Sequence, residues 1–220
     1  DAIICDLPYG TTNCSWDSVI PFHEHIIFNG KTYTKDEFYL HMARHEYSRE
    51  EADAIWISGK RDGLWENYKR LIKPRGAIVL FGSQPFTSAL IMSNIDWFKY
   101  CWVWEKDKAT GHLNANIQPM LNYEDIAVFG NGSIRYFPQI DKKPVANIRP
   151  VSRRAPTDSY GKYNESADRL IPLGMSFPKR ILNFYTTNHG ERGYHPTQKP
   201  VALLAYLIRT YTNEGETVLD

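Results

Sequence analysis

The sequence has few cysteines, and their spacing pairs none of them. Cys5, Cys14 and Cys101 are odd in number and form no CxxC motif. This argues against a disulfide framework or a thiolate zinc site and makes a reducing cytosol the default setting. No apolar run approaches the roughly 20 residues that span a bilayer, and no signal peptide opens the chain, so no membrane partner is expected. An excess of one charge is also lacking, since 26 Lys and Arg against 25 Asp and Glu give a net charge of +1. Any contact with nucleic acid must therefore come from local basic patches. Internal repeats and low-complexity tracts are missing, which argues against a solenoid or an array. An initial Met is missing too: Asp1 runs straight into an apolar strand, and the chain stops at Thr217-Val218-Leu219-Asp220, itself strand-like. A fragment of a longer protein is the expectation.

Hydrophobic residues make up 42% and charged residues 23% of the 220 positions, enough for a soluble globular domain with a real core. Aromatics reach 14%, which suits base stacking as well as ordinary packing. Ala2-Ile3-Ile4-Cys5 is a short buried strand that runs into a Pro/Gly loop. Leu64, Tyr68, Leu71 and Ile72 share one helical face, Lys73-Pro74-Arg75-Gly76 ends that helix, and Ala77-Ile78-Val79-Leu80-Phe81-Gly82 is a buried strand. This rhythm predicts an α/β fold with a mostly parallel sheet. A second helix is expected over 86–95, strands over 100–104 and 125–129, and a short strand over 180–185. The clearest helix carries Leu204, Leu207, Ile208 and Tyr211 on one stripe, with Thr197 as its cap, Pro200 in its first turn and Gly215 past its end. The polar segment 23–62 reads as an insertion, with one helix over 35–57 on which Phe38, Met42 and His45 are spaced. Residues 130–176 lose periodicity and read as an irregular subdomain.

Asp6-Leu7-Pro8-Tyr9-Gly10 follows the first strand. Ligands of open α/β sheets bind beyond the carboxyl ends of strands. An exocyclic base amine is a poor nucleophile because its lone pair is delocalised into the ring. Acceptors such as the Asp6 carboxylate and the Leu7 carbonyl would draw its nitrogen toward a tetrahedral shape. Pro8 would stiffen the loop, and Tyr9 offers a face on which an extruded base could stack. The same five residues also read as a simple turn in which Asp bonds nearby amides, and the segment alone leaves both readings open.

Two further stretches bear on that choice: Tyr194-His195-Pro196-Thr197-Gln198-Lys199-Pro200 before the last helix, and Gly215-Glu216-Thr217-Val218-Leu219-Asp220 after it. With Asp6-Leu7-Pro8-Tyr9-Gly10 in front, the chain resembles the β-class N6-adenine/N4-cytosine DNA methyltransferases of phages and restriction–modification systems. Gly76–Gly82, Trp102-Val103-Trp104-Glu105-Lys106 and Asn122-Tyr123-Glu124-Asp125-Ile126 match more weakly. The resemblance covers nearly everything outside 23–62. The motif order, catalytic first and cofactor half last, is that of the β-class.

The resemblance implies a Rossmann-like methyltransferase fold across 1–220, with S-adenosylmethionine (AdoMet) as methyl donor and double-stranded DNA as substrate. It also implies an irregular target-recognition insertion at 130–176. Asp6, Leu7, Pro8 and Tyr9 become the catalytic set. His195, Thr197, Gln198, Lys199 and Asp220 become cofactor residues, although a helix cap alone would account for Thr197. The family's Gly-rich cofactor loop lies beyond Asp220. The segment 106–122 is expected to face DNA, with Lys106 and Lys108 on phosphate and His112, Asn114 and Asn116 nearby; Asn114 or Asn116 could reach base edges. Solvated loop positions would explain each of these residues singly. Arg149, Arg153, Arg154 and Lys162 make either a phosphate-binding patch or a generic charged surface. His23, His25, His41 and His45 lack a nearby acid that would complete a metal site, so no metal is expected. An Asp at the head of the motif leans toward N6 of adenine, since N4-cytosine enzymes more often carry Ser there. A bacterial or phage-infected cytoplasm, a cognate restriction endonuclease and a homodimer fit the resemblance. A DNA-binding module that no longer methylates is opposed by the intact Asp6-Pro8-Tyr9 set. Action on RNA or a protein amide is opposed by the motif order.

Overall fold

A computed structural model describes residues 1–10, 17–142, 174–186 and 198–220. Its centre is a six-stranded sheet. Strands β1 (Ala2–Asp6), β5 (Ala77–Gly82), β6 (Phe98–Thr110), β7 (Leu121–Phe129), β10 (Ile181–Asn183) and β11 (Val218–Leu219) lie in the order β10-β6-β7-β5-β1-β11. β1 pairs parallel with both β5 and β11, and β10 pairs parallel with β6. Only β7 runs against its neighbours, since it pairs antiparallel with β5 and with β6. The sheet is thus mostly parallel, as the strand–helix rhythm predicts.

Helices cover both faces, and the period-two alternation of each strand decides which side chains they meet. On one face Ala2, Ile4, Val79, Phe81, Trp102, Trp104, Ile126 and Val128 pack on α5 (Val201–Tyr211) through Leu203, Leu207 and Tyr211. On the other, Ile3, Ile78, Leu80, Ala127 and Phe129 meet α3 (Leu64–Leu71) and α4 (Phe86–Ser93). Strands buried on both faces need continuous apolar runs, which is why the segment Ala77–Gly82 is buried at every residue. Polar pins fix α5 on its face. The Trp102 indole N–H donates to the Tyr211 hydroxyl at 2.6 Å, and the Tyr100 and Tyr211 hydroxyls lie 2.9 Å apart.

Several expectations need correction. On α3 the fully buried residue is Trp65, whereas Leu71 is 47% exposed, because the contact stripe runs through Leu64, Trp65 and Tyr68 and the helix ends at Leu71. On α5, Ile208 is 38% exposed and Leu203 takes its place in the core. Pro200, expected in the first turn of α5, is its N-cap, with no side-chain cap bond; Thr197, expected as the cap, lies outside the described residues. Much of the loop expected at 106–122 is a β-hairpin: β6 continues to Thr110 and β7 starts at Leu121, with a short 3-10 turn (His112–Asn114) at the tip.

The segment 23–62 folds as a small unit. Strands β2 (His25–Phe28), β3 (Lys31–Thr34) and β4 (Lys60–Arg61) form an antiparallel sheet in the order β3-β2-β4. Helices α1 (Lys35–Arg44) and α2 (Arg49–Gly59) cover it; one helix over 35–57 is therefore incorrect. Each begins with a reciprocal capping box, Thr34 with Glu37 and Ser48 with Glu51. Glu46 at φ 62° turns the chain between them. Ile26, Tyr33, Phe38, Met42, Ala52 and Trp56 form a separate core, and His45, expected on the same face, caps α1 instead. The segment is clamped to the main domain where it leaves. The Leu64 and Trp65 amides, free donors at the start of α3, bond the Pro21 and Phe22 carbonyls at 2.8 and 3.0 Å. Gly63 must be glycine there, since a Cβ would lie 2.4 Å from the His23 backbone.

Two-residue strands β8 (Asp141–Lys142) and β9 (Met175–Ser176) pair antiparallel. Most of the irregular stretch 130–176 lies outside the described residues. Among the described residues no helix is long and apolar enough to cross a membrane.

The separate core of 23–62 predicts separable stability. Trp56→Ala should cost that core about 3–5 kcal/mol. Hydrogen exchange should then show protection lost across 25–61 and retained across 77–82. Loss across both would show a single cooperative unit.

Candidate active site

The polar centre of the molecule follows from the parity of the sheet. The face of β1 that carries Ala2 and Ile4 continues to Asp6 at the strand's carboxyl end. The same count on β7 runs from Val128 and Ile126 back to Glu124, and on β6 from Trp102 and Trp104 forward to Lys106. All three reach the end of the face covered by α5. Lys199, just before that helix, is 8% exposed and meets them there.

The Lys199 ammonium donates to Asp6 Oδ2 at 2.6 Å and lies 3.3 Å from Glu124 Oε2. Glu124 Oε1 accepts from Lys106 Nζ at 2.5 Å. The Tyr9 hydroxyl donates to Asp6 Oδ1 at 2.9 Å. Two carboxylates and two ammonium groups thus balance, Lys199, Glu124 and Lys106 largely buried and Asp6 open to solvent, with Lys199 Nζ 5.2 Å from the Phe81 ring centroid and 6.0 Å from that of Tyr9. Breaking such a partly buried set by removing one member leaves an uncompensated charge, at a cost of about 3–5 kcal/mol when burial is complete.

The loop after β1 is held locally. The Tyr9 ring packs on Phe86, with centroids 5.2 Å apart. The Leu7 side chain is buried in the α3/α4 core. Gly10 sits at φ +68° and donates its amide to Asp17 Oδ1 at 2.9 Å. A side chain there would be strained by backbone and by neighbour, since its Cβ would fall 2.7 Å from Val19 Cγ2.

β1 is also where the sheet's connections diverge. The chain leaves it through α3 toward β5 on one side, and α5 leads into β11 on the other. Strand ends at such a switch point form the crevice where α/β folds bind ligands. Asp220 follows β11 at the carboxyl end, next to Leu219, which pairs with Ile3 of β1. Gln198 and Lys199 lie at the approach to α5. A cofactor with an ammonium, a carboxylate and hydroxyls fits residues of this chemistry at a switch point.

The other expected site residues are placed as follows. Lys106 is committed to Glu124 rather than standing open at the surface, being 16% exposed. Lys108, His112, Asn114 and Asn116 are exposed on the hairpin arm and tip. His195, Thr197, Arg153 and Arg154, with Arg149, Lys162 and Cys14, lie outside the described residues. Among the described residues no group of three or more His, Cys, Asp or Glu is placed to hold a metal ion. The His41 and His45 rings lie tilted to each other with centroids 4.4 Å apart, and burial, then His45, Lys31 and Arg44, push the His41 imidazole below its usual range. The residue that motif reading missed is Glu124. Its signal was the alternation Glu124, Ile126, Val128, which sets the carboxylate on the core face.

The fold and these contacts define an α/β protein with a charged centre at the carboxyl end of its first strand. The model of the DNA methylase family, the N6/N4 methyltransferases, matches residues 1–220. The chain belongs to that family. It is similar to the type II methyltransferase M.HindIII of Haemophilus influenzae, 23% identical over 257 residues, covering 100% of this chain and 76% of the relative. Among solved structures it is similar to an M1.HpyAVI–SAM complex, with 18% identity, TM-score 0.42, 66% of this chain and 57% of that one covered. M1.HpyAVI in a second structure gives 17% identity and TM-score 0.38 over 70% and 59% of the two chains. The chain thus spans under two thirds of the length of those solved relatives.

Burial, then the Asp6 and Glu124 carboxylates, push the Tyr9 phenol well above the usual tyrosine range. Its proton, and the hydrogen bond to Asp6, therefore persist where an ordinary tyrosine ionises near pH ~10. Spectrophotometric titration up to about pH 11 should give superimposable phenolate curves for wild type and Tyr9→Phe. A missing ionisation in the variant would contradict this.

Proposed function

We propose that this chain is the catalytic part of an AdoMet-dependent DNA methyltransferase acting on N6 of adenine. One observation carries the reading. An ionisable carboxylate, Asp6, stands at the switch-point end of β1 with its orientation set by Tyr9 and Lys199. Family membership supports DNA as the substrate. AdoMet at the carboxyl ends of β1 and β11 would supply an electrophilic methyl group on a sulfonium, with His195, Thr197, Gln198, Lys199 and Asp220 in the segments that would surround it.

The chain's own residues prepare the nucleophile. A base extruded from the duplex presents its amine to Asp6 and to the Leu7 carbonyl, which accept its two N–H bonds. This localises the nitrogen lone pair and aims it out of the ring plane. Pro8 fixes the direction of the Leu7 carbonyl, and the Tyr9 ring supports the base. The amine attacks with both protons in place, and the surplus proton leaves afterwards along the hydrogen bond to Asp6. Preorganised acceptors of this kind act most strongly where water is excluded.

DNA would approach along the β6–β7 hairpin. Lys108 and His112 supply positive charge, and Asn114 and Asn116 supply donors and acceptors for base edges. Arg153 and Arg154 would extend the contact. The likeness to a type II methyltransferase supports a restriction–modification setting. N4 of cytosine is the second reading, because the same acceptors serve either amine; Asp6 at the head of the motif favours adenine.

Asp6→Ala in the full-length enzyme should abolish methyl transfer from radiolabelled AdoMet to unmethylated DNA while AdoMet affinity and the circular dichroism spectrum are retained. Substantial residual activity would remove Asp6 from the mechanism. Nucleoside analysis of the wild-type product decides the base: label in N6-methyladenine bears out the reading, and label in N4-methylcytosine transfers it to cytosine. Lys108→Ala should weaken DNA binding evenly across sequences and reduce the slope of log affinity against log salt by about 1. An unchanged slope would take Lys108 off the phosphate backbone.

A further inference from the structure

We infer that Lys199 is a mobile counter-ion with two seats, Asp6 and Glu124, and that Glu124 is the positioning residue that draws it off Asp6 as the target amine arrives. The inference rests on the methyltransferase reading and deepens it.

Three observations lead there. First, both Asp6 oxygens already accept a hydrogen bond, Oδ1 from Tyr9 and Oδ2 from Lys199. A lysine ammonium and a base amine present the same N–H donors, so an amine directed at the lone pair of Oδ2 that Lys199 occupies competes with it; the exchange concerns that one acceptor position. Second, an alternative seat adjoins the first. Glu124 Oε2 is buried and accepts no hydrogen bond, although the Lys199 ammonium lies 3.3 Å away. A buried carboxylate oxygen without a donor is costly, and a small swing of the ammonium would supply one. Third, the surroundings permit the swing. The ammonium rests against the Phe81 ring, a surface without directional bonds, and Lys106 holds Glu124 by its other oxygen. Glu124 stays in place while Lys199 moves.

The exchange conserves charge and hydrogen bonds. Lys199 gives up Asp6 Oδ2 and gains Glu124 Oε2, and the amine gains Asp6 Oδ2. The positive charge stays beside both carboxylates throughout. Without the Glu124 charge, Lys199 would remain on Asp6 as a competitor.

The test uses the full-length enzyme, unmethylated duplex DNA and AdoMet. Glu124→Gln should lower kcat/KM for DNA on the order of tenfold while AdoMet affinity stays within about twofold. It should also reduce extrusion of a 2-aminopurine placed at the target position. Glu124→Asp, which keeps the charge, should recover part of the loss. Lys199→Met reads the counter-ion role separately. With the competing ammonium removed, Glu124→Gln should cause little further loss of kcat/KM, whereas a purely structural Glu124 would add its full loss in either background.

Wild-type kcat/KM in Glu124→Gln overturns the inference, as does a matching loss of AdoMet affinity. If Glu124→Gln does not fold, Glu124→Asp decides: a kcat/KM below about a tenth of wild type, or the same loss in wild-type and Lys199→Met backgrounds, overturns it. A wild-type enzyme that binds AdoMet but methylates no DNA removes the underlying reading, and that outcome is scored before any variant.

Discussion

A buried ammonium needs anions, and at Lys199 that need organises the head of the sheet. The group is 8% exposed and meets one carboxylate from β1 and one from β7. Both must emerge on the face covered by α5, so the parity of each strand is fixed from its apolar end. A one-residue slip of β7 would turn Glu124 to the opposite face and bring Asp125 into its place. The same slip would move Ile126 and Val128 out of the core they share with Leu203 and Leu207. Packing and charge therefore enforce one register, and the docking of α5 follows from it. The Tyr211 hydroxyl adds a polar lock between α5 and β6.

The acidic loop after β1 inherits its geometry from this arrangement. Asp6 is ionisable, partly exposed and restrained from two directions, by the phenol three residues on and by an ammonium from the far end of the chain. Gly10 and Asp17 restrain the loop as it departs. The resulting acceptor is fixed in direction yet remains open to solvent, a combination that suits recognition of an N–H donor brought from outside the fold.

Local signals were legible and long-range ones were not. β1 and β5 could be placed because a strand buried on both faces is a continuous apolar run. Asp6, Pro8 and Tyr9 could be singled out because their relations lie within a few residues. The break between α1 and α2 was also written locally, in Thr34/Glu37 and Ser48/Glu51, but the helical spacing of Phe38, Met42 and His45 stops at the end of α1 and carried no sign of it. The hairpin arms of β6 and β7 were hidden by composition: beyond Trp104 the strand leaves the core, its residues turn charged, and it reads as loop. Glu124 and Lys106 derive their roles from a pairing across that hairpin, and Lys199 from an element 193 residues from Asp6. No spacing along the chain encodes such contacts; they appear only once the strand order is known.

The unit at 23–62 leaves the domain beside the point where it departs. β2 and β4 pair antiparallel, His25 opposite Arg61, and the start of α3 is bonded back to Pro21 and Phe22. The path from β1 to α3 is therefore closed beneath the unit, whatever the unit contains. Its length and sequence can change without altering the distance between Asp6 and the helix that follows. The active centre is in this respect decoupled from the size of the unit that interrupts the path to it.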